Sequence, residues 1–352
     1  MMEGSVLPGV PDVWSGEPGS CSRNWPTQPS TKRLDSEIFC MQPVYNVTAV
    51  GEILWDLFPE RTCFGGAPAN FACAASQLGA DSVEVTLLSG VGGDALGRKA
   101  VEQLANHGVS TRLLQTGEKC TGRVEIELNP DGSAVYRFAE DVAWDNLVME
   151  ERLYKVAAEA DAVCFGTLGQ RSARSAKVIQ EFLAHTSEQC VRIFDINLRF
   201  PHVVATTIEP SLQLCNVLKL NDDELPWLAE FLGLRGNQSG WLQQLQSRYA
   251  LDWIALTRGS RGALLVCGQH QVEIEPLSPA VVDTVGAGDA FTAVLAMGIL
   301  GQAEQWSRDS IRKVGELANR VASFVCTQSG ATPNLPKEFS AEVINLFPGK
   351  RS

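Results

Sequence analysis

The segment Asp283–Phe291, which reads DTVGAGDAF, combines residue types that could transfer a charged group. Gly286 and Gly288 let the backbone turn and approach a bound group closely, which a Cβ atom would hinder. The helix-forming residues that follow predict that a helix begins here, with the free N–H groups of Gly286, Ala287 and Gly288 forming an anion site. Asp289 falls in the first helical turn, at the positive end of the helix dipole. A carboxylate beside an anion hole can accept a proton from a hydroxyl group while the amides stabilise a phosphoryl group.

The same segment also has a purely structural interpretation, a glycine turn closed by an N-capping aspartate. The choice between the two depends on the rest of the chain. Open α/β sheets bind their ligands outside the carboxyl ends of parallel strands, so a phosphate site needs polar partners at those ends.

Two strand ends offer such partners. The strand-like run 216–221 ends at Asn221, which could donate to a phosphate, and Glu224 could hold Mg²⁺ through water, since Mg²⁺ keeps much of its hydration. A helix N-cap with acidic residues in its first turn is the alternative explanation. The run 252–257 leads into Thr257–Gly262, whose glycines allow close approach to a nucleotide; here the alternative is a hairpin loop with two solvated arginines.

Apolar periodicity places these residues in one α/β domain. The predicted elements are, in chain order, a strand at 44–59, a helix at 65–80, a strand at 83–93, a helix at 94–109, strands at 161–169, 191–199, 216–221 and 252–257 with helices between them, an antiparallel pair at 262–275, a helix after Asp289 and a last long helix at about 305–327. Such alternation predicts a mostly parallel sheet with helices on both faces.

Residues 121–138 depart from this pattern. They alternate apolar and polar side chains like two strands joined at Asn129–Gly132, a strong hairpin signal. We therefore expect a small β-sheet lid, formed from about 57–64 and 120–140, beside the main sheet.

The ends of the chain are expected to lie outside the main domain, which is predicted to cover 44–340. Residues 1–43 are rich in Pro, Gly and Ser and have no helix or strand period, which predicts a flexible N-terminal extension. Residues 341–352 are expected to form a C-terminal tail.

Composition excludes several classes of function. The net charge of -12, with no long Lys/Arg cluster, argues against a nucleic-acid partner. The 10 cysteines include no CxxC pair, which argues against a zinc site and favours a reducing compartment. No apolar run approaches the ~20 residues that span a bilayer, and no signal sequence is present, so we expect a cytoplasmic protein without a membrane partner.

Two nucleotide-binding motifs are also excluded. The chain has no GxxxxGK[ST] sequence and is therefore not a P-loop enzyme. The run Ser89–Gly93 imitates a dinucleotide fingerprint, but Ala95 stands where its last glycine is required, which argues against an NAD-dependent oxidoreductase.

The motifs together resemble the PfkB (ribokinase-like) family of sugar and nucleoside kinases. DTVGAGDAF is similar to the family's second signature, and GGAPAN at 65–70 with VGGDALG at 91–97 is similar to its N-terminal signature. LKLNDDEL and LTRGSRGAL are similar to its N-x-x-E element and its nucleotide-loop strand. The resemblance covers about 44–336 and implies a three-layer ribokinase-like domain with a mostly parallel central sheet, flanking helices and a small β-sheet lid.

The resemblance also implies roles in phosphoryl transfer from ATP. It makes Asp289 the general base on a sugar hydroxyl and the three residues before it the anion hole. It assigns Asn221 to phosphate and Glu224 to Mg²⁺ held through water. The residues implied to bind ATP, besides Asn221, are Thr257, Gly259, Gly262 and, near the adenine, Asn319.

Further roles concern the sugar and a cation. The resemblance implies that Asp56, Gly66 and Asn70 hold sugar hydroxyls. Asp283 matches a position that in many members binds a monovalent cation, usually K⁺; an acid that only stabilises the turn is the alternative. The family also implies a possible homodimer through the lid.

The branch of the family is indicated by two short motifs. GGAPAN is similar to the fructokinase motif, and FDINLR at 194–199 resembles that of fructokinases and 2-keto-3-deoxygluconate kinases. Arg199 could steer a phosphate or an anionic substrate, with a surface salt bridge as the alternative. The run Ala139–Asp141 departs from the fructokinase lid, and Trp55 is expected to face the sugar.

The favoured reaction is phosphorylation of a primary hydroxyl of D-fructose to fructose 6-phosphate. The alternatives are a kinase for 2-keto-3-deoxygluconate, ribose, another ketose or a nucleoside. A catalytically silent sugar-binding protein is a further alternative, against which the intact GAGD sequence and Asp289 argue.

Overall fold

The computed structural model of the chain describes residues 45–128, 134–302 and 305–346. The predicted flexible extension at 1–43 and the predicted hairpin turn at Asn129–Gly132 lie outside these ranges. The strands within them are β1 (Tyr45–Val50), β2 (Leu54–Leu57), β3 (Thr62–Gly65), β4 (Val83–Gly92), β5 (Leu114–Gly117), β6 (Gly122–Leu128), β7 (Ala134–Phe138), β8 (Ala162–Gly166), β9 (Val191–Asp195), β10 (Val217–Asn221), β11 (Trp253–Thr257), β12 (Ala263–Cys267) and β13 (His270–Ile274).

Helices fill the gaps between the strands, as the alternating pattern predicts. They are α1 (Ala67–Gly79), α2 (Ala95–Asn106), α3 (Glu151–Glu159), α4 (Ala173–Ala184), α5 (Ala205–Leu214), α6 (Glu224–Phe231), α7 (Gln238–Tyr249), α8 (Ala287–Gly301), α9 (Arg308–Cys326) and α10 (Lys337–Ile344). None of the helices in the described ranges is both long enough and apolar enough to cross a bilayer.

The main sheet has nine strands in the order β13-β12-β11-β10-β9-β8-β1-β4-β5. All neighbours pair in parallel except β11 with β12 and β12 with β13, which are antiparallel. The fold class predicted from the sequence is thereby confirmed, including the antiparallel pair at one edge. The short edge strand β5 is not among the predicted elements, because LQTG lacks the apolar run that marks the central strands.

Both faces of the main sheet are covered by apolar helix faces. Successive residues of β8 point to opposite sides, so Cys164 lies in one core and Phe165 in the other. The first core packs against α1, α2, α8, α9 and α10, and the second against α3 to α7. The carboxyl ends of the parallel strands therefore meet at one edge of a rigid layer, where α8 begins.

The lid is a separate four-stranded sheet in the order β3-β2-β6-β7, which confirms the predicted second sheet. It begins at Leu54, three residues before the expected boundary, because the run 44–59 divides at Gly51 into a main-sheet strand and a lid strand. A small core that includes Leu54, Val124 and Trp144 lies beneath it.

The carboxyl-terminal boundary also differs from the expectation. Helix α10 runs through residues 340 and 341, where the domain was expected to give way to a tail, and both Phe339 and Val343 are buried. Burial of one face of α10 against α1 therefore places residues up to Ile344 in the domain.

Candidate active site

Helix α8 begins at Ala287 with a turn that requires glycine. Gly286 has φ 82°, and a Cβ atom there would lie 2.3 Å from the carbonyl oxygen of Ala331. The Ala287 N–H, which was predicted to be free, donates to the carbonyl oxygen of Thr284 at 3.4 Å. Gly288 lies next to a buried cation, because a Cβ atom there would be 3.1 Å from the Nζ of Lys219.

Asp289 lies in the first turn of α8, as predicted, and is partly buried. The amide of Asn70 donates from Nδ2 to Oδ2 of Asp289 at 2.8 Å, which joins α1 to α8 across the site. Withdrawal from water and the nearby charge of Asp195 raise the pKa of Asp289 to about 6, while Lys219, the Asn70 hydrogen bond and Arg199 act in the opposite direction. A carboxylate with this pKa is ionised at neutral pH and still basic enough to accept a proton.

A buried ion pair lies next to the turn that opens α8. Lys219 on β10 donates from Nζ to both carboxylate oxygens of Asp195 on β9, at 3.0 and 2.9 Å. Thr292 on α8 donates to the Gly288 carbonyl oxygen at 2.9 Å and contacts Asp195 Oδ2 at 3.3 Å. The pair therefore ties the two strand ends to the first turns of α8.

The residues expected to hold sugar hydroxyls converge from the lid, α1 and the loop after β9. Asn70 is 5% exposed, and its Oδ1 has no partner among the described residues, so one acceptor remains for a ligand hydroxyl. Burial raises the pKa of Asp56 on β2 to about 6, whereas the guanidinium of Arg199 lowers it. Arg199 is exposed and donates to the Leu198 carbonyl oxygen at 3.0 Å, and no salt bridge of Arg199 occurs in the described ranges.

Gly66 and Trp55 have structural roles at the base of the lid. A Cβ atom on Gly66, whose φ is 107°, would lie 2.5 Å from the carbonyl oxygen of Glu52. Trp55 is 5% exposed, packs edge-on against Phe64 at 5.3 Å between ring centroids and donates from Nε1 to the Leu96 carbonyl oxygen. Because other residues bury Trp55 almost completely, little of its side chain is available for the predicted contact with a sugar.

Asn221 and Glu224 form the capping arrangement that was the alternative interpretation of NDDE. Asn221 Oδ1 accepts from the Glu224 N–H at 2.8 Å, and Glu224 Oε2 accepts from the Asn221 N–H at 2.8 Å. Glu224 Oε1 accepts from the Leu198 N–H at 2.9 Å, so both carboxylate oxygens are engaged by backbone amides. Burial raises the pKa of Glu224, and Lys219 opposes this shift.

The residues expected to bind ATP occupy the neighbouring strand ends. Thr257 is the register partner of Asn221, so the two stand side by side at the ends of β11 and β10. Gly259 has φ 54° and open space around its Cβ position, whereas a Cβ atom on Gly262 would lie 2.0 Å from the carbonyl oxygen of Ile274. Gly259 is thus free to approach a ligand, and the glycine at 262 is required by the protein itself.

Asn319 and Asp283 each stabilise a loop. Asn319 on α9 donates to the Glu275 carbonyl oxygen at 2.7 Å, which fixes the segment after β13. Asp283 accepts from the Val285 N–H at 3.1 Å and from the Gly330 N–H at 3.3 Å. The guanidinium of Arg61, from the turn between β2 and β3, lies 4.0 Å from Asp283. The turn-stabilising interpretation of Asp283 is therefore observed, and no cluster of three or more His, Cys, Asp or Glu side chains suited to a metal occurs in the described part of the chain.

Three charged residues near the site were not predicted, namely Glu52, Asp195 and Lys219. Lys219 is 6% exposed, Asp195 4% and Glu52 2%. A charged residue within or at the end of an apolar strand, as Lys219 in VLKLN and Asp195 in VRIFD, is the signal that could have indicated both. Such a residue is rarely buried unless another charge pairs with it.

Comparison with known proteins identifies the family of the chain. The sequence pattern of the pfkB family carbohydrate kinases matches residues 60–338. The chain belongs to this family. The membership confirms the resemblance that the GGAPAN and GAGD motifs predict, and it makes the chain a sugar kinase by family.

Individual relatives differ in the substrates that their names state. The fructokinase of Salmonella typhimurium is 27% identical over 302 residues, which cover 82% of this chain and 96% of that protein. The aminoimidazole riboside kinase of the same species is 27% identical over 318 residues, covering 84% and 93%. Among solved structures, that of an uncharacterized sugar kinase of Pyrococcus horikoshii in complex with ATP has a TM-score of 0.71 and 28% identity, covering 84% of this chain and 99% of that one.

Proposed function

We propose that the protein transfers the γ-phosphoryl group of ATP to a primary hydroxyl of a sugar, with D-fructose as the first candidate and fructose 6-phosphate as its product. The observation that carries the proposal is the hydrogen bond between Asn70 and Asp289 at the start of α8. It places a side chain expected to bind sugar and the expected base in direct contact, at the edge of the sheet where α/β proteins bind ligands.

The reaction needs a proton acceptor and charge stabilisation more than covalent assistance. The sugar hydroxyl loses its proton to Asp289 as its oxygen forms a bond to the γ-phosphorus, and the bond from that phosphorus to the β-phosphate oxygen breaks to release ADP. The amides of Gly286 and Gly288 stabilise the charge on the transferred group. Lys219, held by Asp195 beside Gly288, adds a fixed positive charge to this end of the site.

ATP as the phosphoryl donor is supported by the relative from Pyrococcus horikoshii, whose structure contains it. Bound Mg²⁺ neutralises phosphate charge in this class of reaction. Both oxygens of Glu224 already accept backbone hydrogen bonds, so Glu224 fits an ion held through water and does not fit a direct ligand. K⁺ is proposed as an activator at Asp283, whose carboxylate lies at the loop before the anion hole.

The choice of sugar rests on side chains rather than on similarity, because the fructokinase and the riboside kinase are equally identical to this chain at 27%. Asp56 and the free Oδ1 of Asn70 suit the hydroxyl groups of an uncharged ketose. Arg199 is exposed beside them and favours 2-keto-3-deoxygluconate, an anionic sugar acid, as the second candidate. Ribose, a nucleoside and catalytically silent sugar binding remain further alternatives.

A coupled assay of ADP release tests the function. The panel contains fructose, 2-keto-3-deoxygluconate, ribose and aminoimidazole riboside with MgATP, each with and without K⁺. We expect the largest kcat/KM for fructose and a higher rate with K⁺. Preference for another acceptor would change the substrate and leave the mechanism intact, and no stimulation by any sugar would support the silent binding protein.

The role of Asp289 has its own prediction. Asp289→Asn should lower kcat by on the order of 10³ or more, because the hydroxyl proton then has no acceptor. ATP affinity, measured by calorimetry, should change by only a few fold. Activity within tenfold of the wild-type rate would refute Asp289 as the base.

A further inference from the structure

Glu52 lies at the point where the chain crosses between the main sheet and the lid. It follows β1, and the Gly51 N–H beside it donates to the Leu88 carbonyl oxygen of the main sheet at 3.1 Å. The chain returns from the lid into α1 at Gly66, whose Cβ position would lie 2.5 Å from the carbonyl oxygen of Glu52. The outgoing and the returning segments therefore meet at Glu52, which is 2% exposed.

The carboxyl group of Glu52 has one partner and one unpaired oxygen. Oε1 accepts from the N–H of Ala67, the first residue of α1, at 3.2 Å. Oε2 is buried and has no partner in the part of the chain that the structure describes. A buried carboxylate oxygen without a donor is costly, so this atom requires either a proton or a water molecule.

A small cavity beside Glu52 supplies the place for such a water. Its lining includes Glu52, Thr167, Asp195 and Asp289, and it has room for about one water molecule. Glu52 and the proposed base thus line the same cavity. The mechanism proposed above uses Asp289 and leaves Glu52 without a role.

The charged groups around this cavity come from four elements. Asp289 on α8 and Asp195 on β9 are acidic, Lys219 on β10 is paired with Asp195, and Arg199 follows β9; Cys164 on β8 also lies in the lining. Burial, the largest cause, and the charge of Asp289 raise the pKa of Glu52 to about 7, while its own backbone N–H, the Ala67 N–H and Arg199 lower it. A large fraction of Glu52 is therefore protonated at neutral pH.

We propose that Glu52 is a positioning residue for phosphoryl transfer: as a carboxylic acid it donates from Oε2 to a water in the cavity behind Asp289, and through Oε1 it holds the first turn of α1. That turn leads into Asn70, which donates to Asp289. Glu52 thereby couples the position of the lid to the orientation of Asp289, the proposed proton acceptor. The inference rests on the proposed function, in which Asp289 accepts the proton.

Ionisation of Glu52 removes this arrangement. It places a second negative charge in the space that Asp289 occupies, which favours the protonated form of Asp289 and opposes the approach of phosphate. The proton of Glu52 passes to solvent, and the water in the cavity loses a donor. Turnover should consequently fall as Glu52 ionises.

The pH profile of Glu52→Gln tests the inference. Glutamine keeps one acceptor for Ala67 and one donor for the cavity, and it does not ionise. Wild-type kcat/KM for the preferred sugar should decline above a pH of about 7, and this decline should be absent in Glu52→Gln. Glu102→Gln, an exposed substitution on α2, should keep the wild-type profile. Superimposable alkaline profiles of wild type and Glu52→Gln would overturn the inference.

Glu52→Met provides a second variant, since an apolar side chain of similar size fits the buried site even where glutamine fails to fold. Glu52→Met should also show no decline of kcat/KM at alkaline pH, but its side chain cannot accept the hydrogen bond from the Ala67 N–H. Its kcat should be roughly tenfold below that of Glu52→Gln. Equal kcat values for the two variants would show that α1 does not need the contact, and would overturn the positioning role.

A measurement on the unliganded protein separates this inference from the proposed function. Because the folded protein raises the pKa of Glu52, the stability that the protonated group contributes is present below the unfolded value of 4.5 and is lost as the pH rises through about 7. The melting temperature of wild type should therefore fall relative to that of Glu52→Gln between pH 5 and pH 8. A constant difference overturns the protonation of Glu52 and with it the inference, whereas absence of sugar kinase activity beside the expected change in melting temperature overturns the proposed function and leaves the protonated Glu52 in place.

Discussion

At the scale of single residues, the environment of Asp289 determines when it can act as a base. Its pKa of about 6 results mainly from withdrawal from water and from the charge of Asp195, and Lys219 limits the shift. A base must be ionised to accept a proton, so the rate is expected to follow the ionised fraction of Asp289. Asn70 stabilises the ionised form through its hydrogen bond, so we expect it to support activity at the lower end of the pH range.

The acid side of the pH profile should report this group. Wild-type kcat/KM should fall as the pH decreases through about 6. Asn70→Ala removes a hydrogen bond that stabilises the carboxylate, so its midpoint should lie at a higher pH than that of wild type. Gln238→Ala, an exposed substitution on α7, is the control and should keep the wild-type midpoint. A midpoint for Asn70→Ala at or below the wild-type value would contradict the assignment.

The ionised side chain of Asp289 is expected to lower the free energy of unfolding at neutral pH. Its folded pKa is raised from 3.8 to about 6, so the stability associated with the protonated group is present below 3.8 and is lost as the pH rises through 6. Asp289→Asn should therefore exceed wild type in unfolding free energy by up to about 3 kcal/mol at pH 8 and by little at pH 4. Urea unfolding at both pH values measures the difference. A variant less stable than wild type at pH 8 would contradict the raised pKa.

At the scale of elements, the turn that opens α8 must combine two constraints. Gly286 has positive φ, and it also lies against the backbone of Ala331. This contact joins the turn that opens α8 to the loop after α9. A side chain at this position would disturb both the turn and the loop.

Gly286→Ala tests the contact. It should lower the unfolding free energy by more than about 2 kcal/mol, because positive φ and the clash with the Ala331 carbonyl both oppose a Cβ atom. Gly268→Ala, in the turn between β12 and β13, is the matched control, since Gly268 has φ 54° and open space around its Cβ position. It should cost only about 1–2 kcal/mol. Urea unfolding measures both variants. Equal losses of unfolding free energy would show that the clash with the Ala331 carbonyl oxygen is easily relieved.

The elements that the sequence predicts are those with strong periodicity. The central strands and α8 have long apolar runs, and their order predicts the parallel sheet with its edge pair. The predicted site residues Asp289 and Asn221 carry a local signal, because one opens a helix and the other ends a strand. Glu52 carries no such local signal: its burial arises where segments from β1, the lid and α1 meet, and that contact depends on the tertiary structure.

The NDDE motif has two interpretations that its sequence does not distinguish. The letters NDDE are compatible with a phosphate site and with an N-cap, and the backbone hydrogen bonds of Asn221 and Glu224 show the cap. The cap leaves the Asn221 amide nitrogen for a ligand, so the two interpretations are compatible. Gly262 is the opposite case. The sequence predicts that it binds ATP, but glycine is needed there because a Cβ atom would clash with the carbonyl oxygen of Ile274. Sequence alone does not contain these through-space contacts.

At the scale of the whole molecule, the lid has an open edge. Strand β7 is the last strand of the lid sheet, and its exposed residues include Val135 at 38% and Tyr136 at 59%. An edge strand presents unpaired backbone groups, and apolar side chains beside it favour pairing with another chain. A second copy of the lid would satisfy both requirements.

We therefore expect a homodimer that forms through the lid. Size-exclusion chromatography with light scattering should give twice the mass of one chain. The double substitution Val135→Lys and Tyr136→Lys should shift the protein toward monomer, because lysines on an edge strand oppose pairing. Val148→Lys, an exposed substitution outside the lid, is the control. A wild-type monomer at all accessible concentrations would exclude the dimer.

The lid is built from two separate insertions in the chain. Strands β2 and β3 lie between β1 and α1, and strands β6 and β7 lie between β5 and α3, whereas the GAGD turn belongs to α8. Natural selection can consequently exchange the lid strands, which are proposed to contact the acceptor, without rebuilding the turn that opens α8 and is proposed to bind phosphate. A family organised in this way can diversify its sugars while inheriting one chemistry, and hybrid enzymes with transplanted lid hairpins are a direct route to new acceptors.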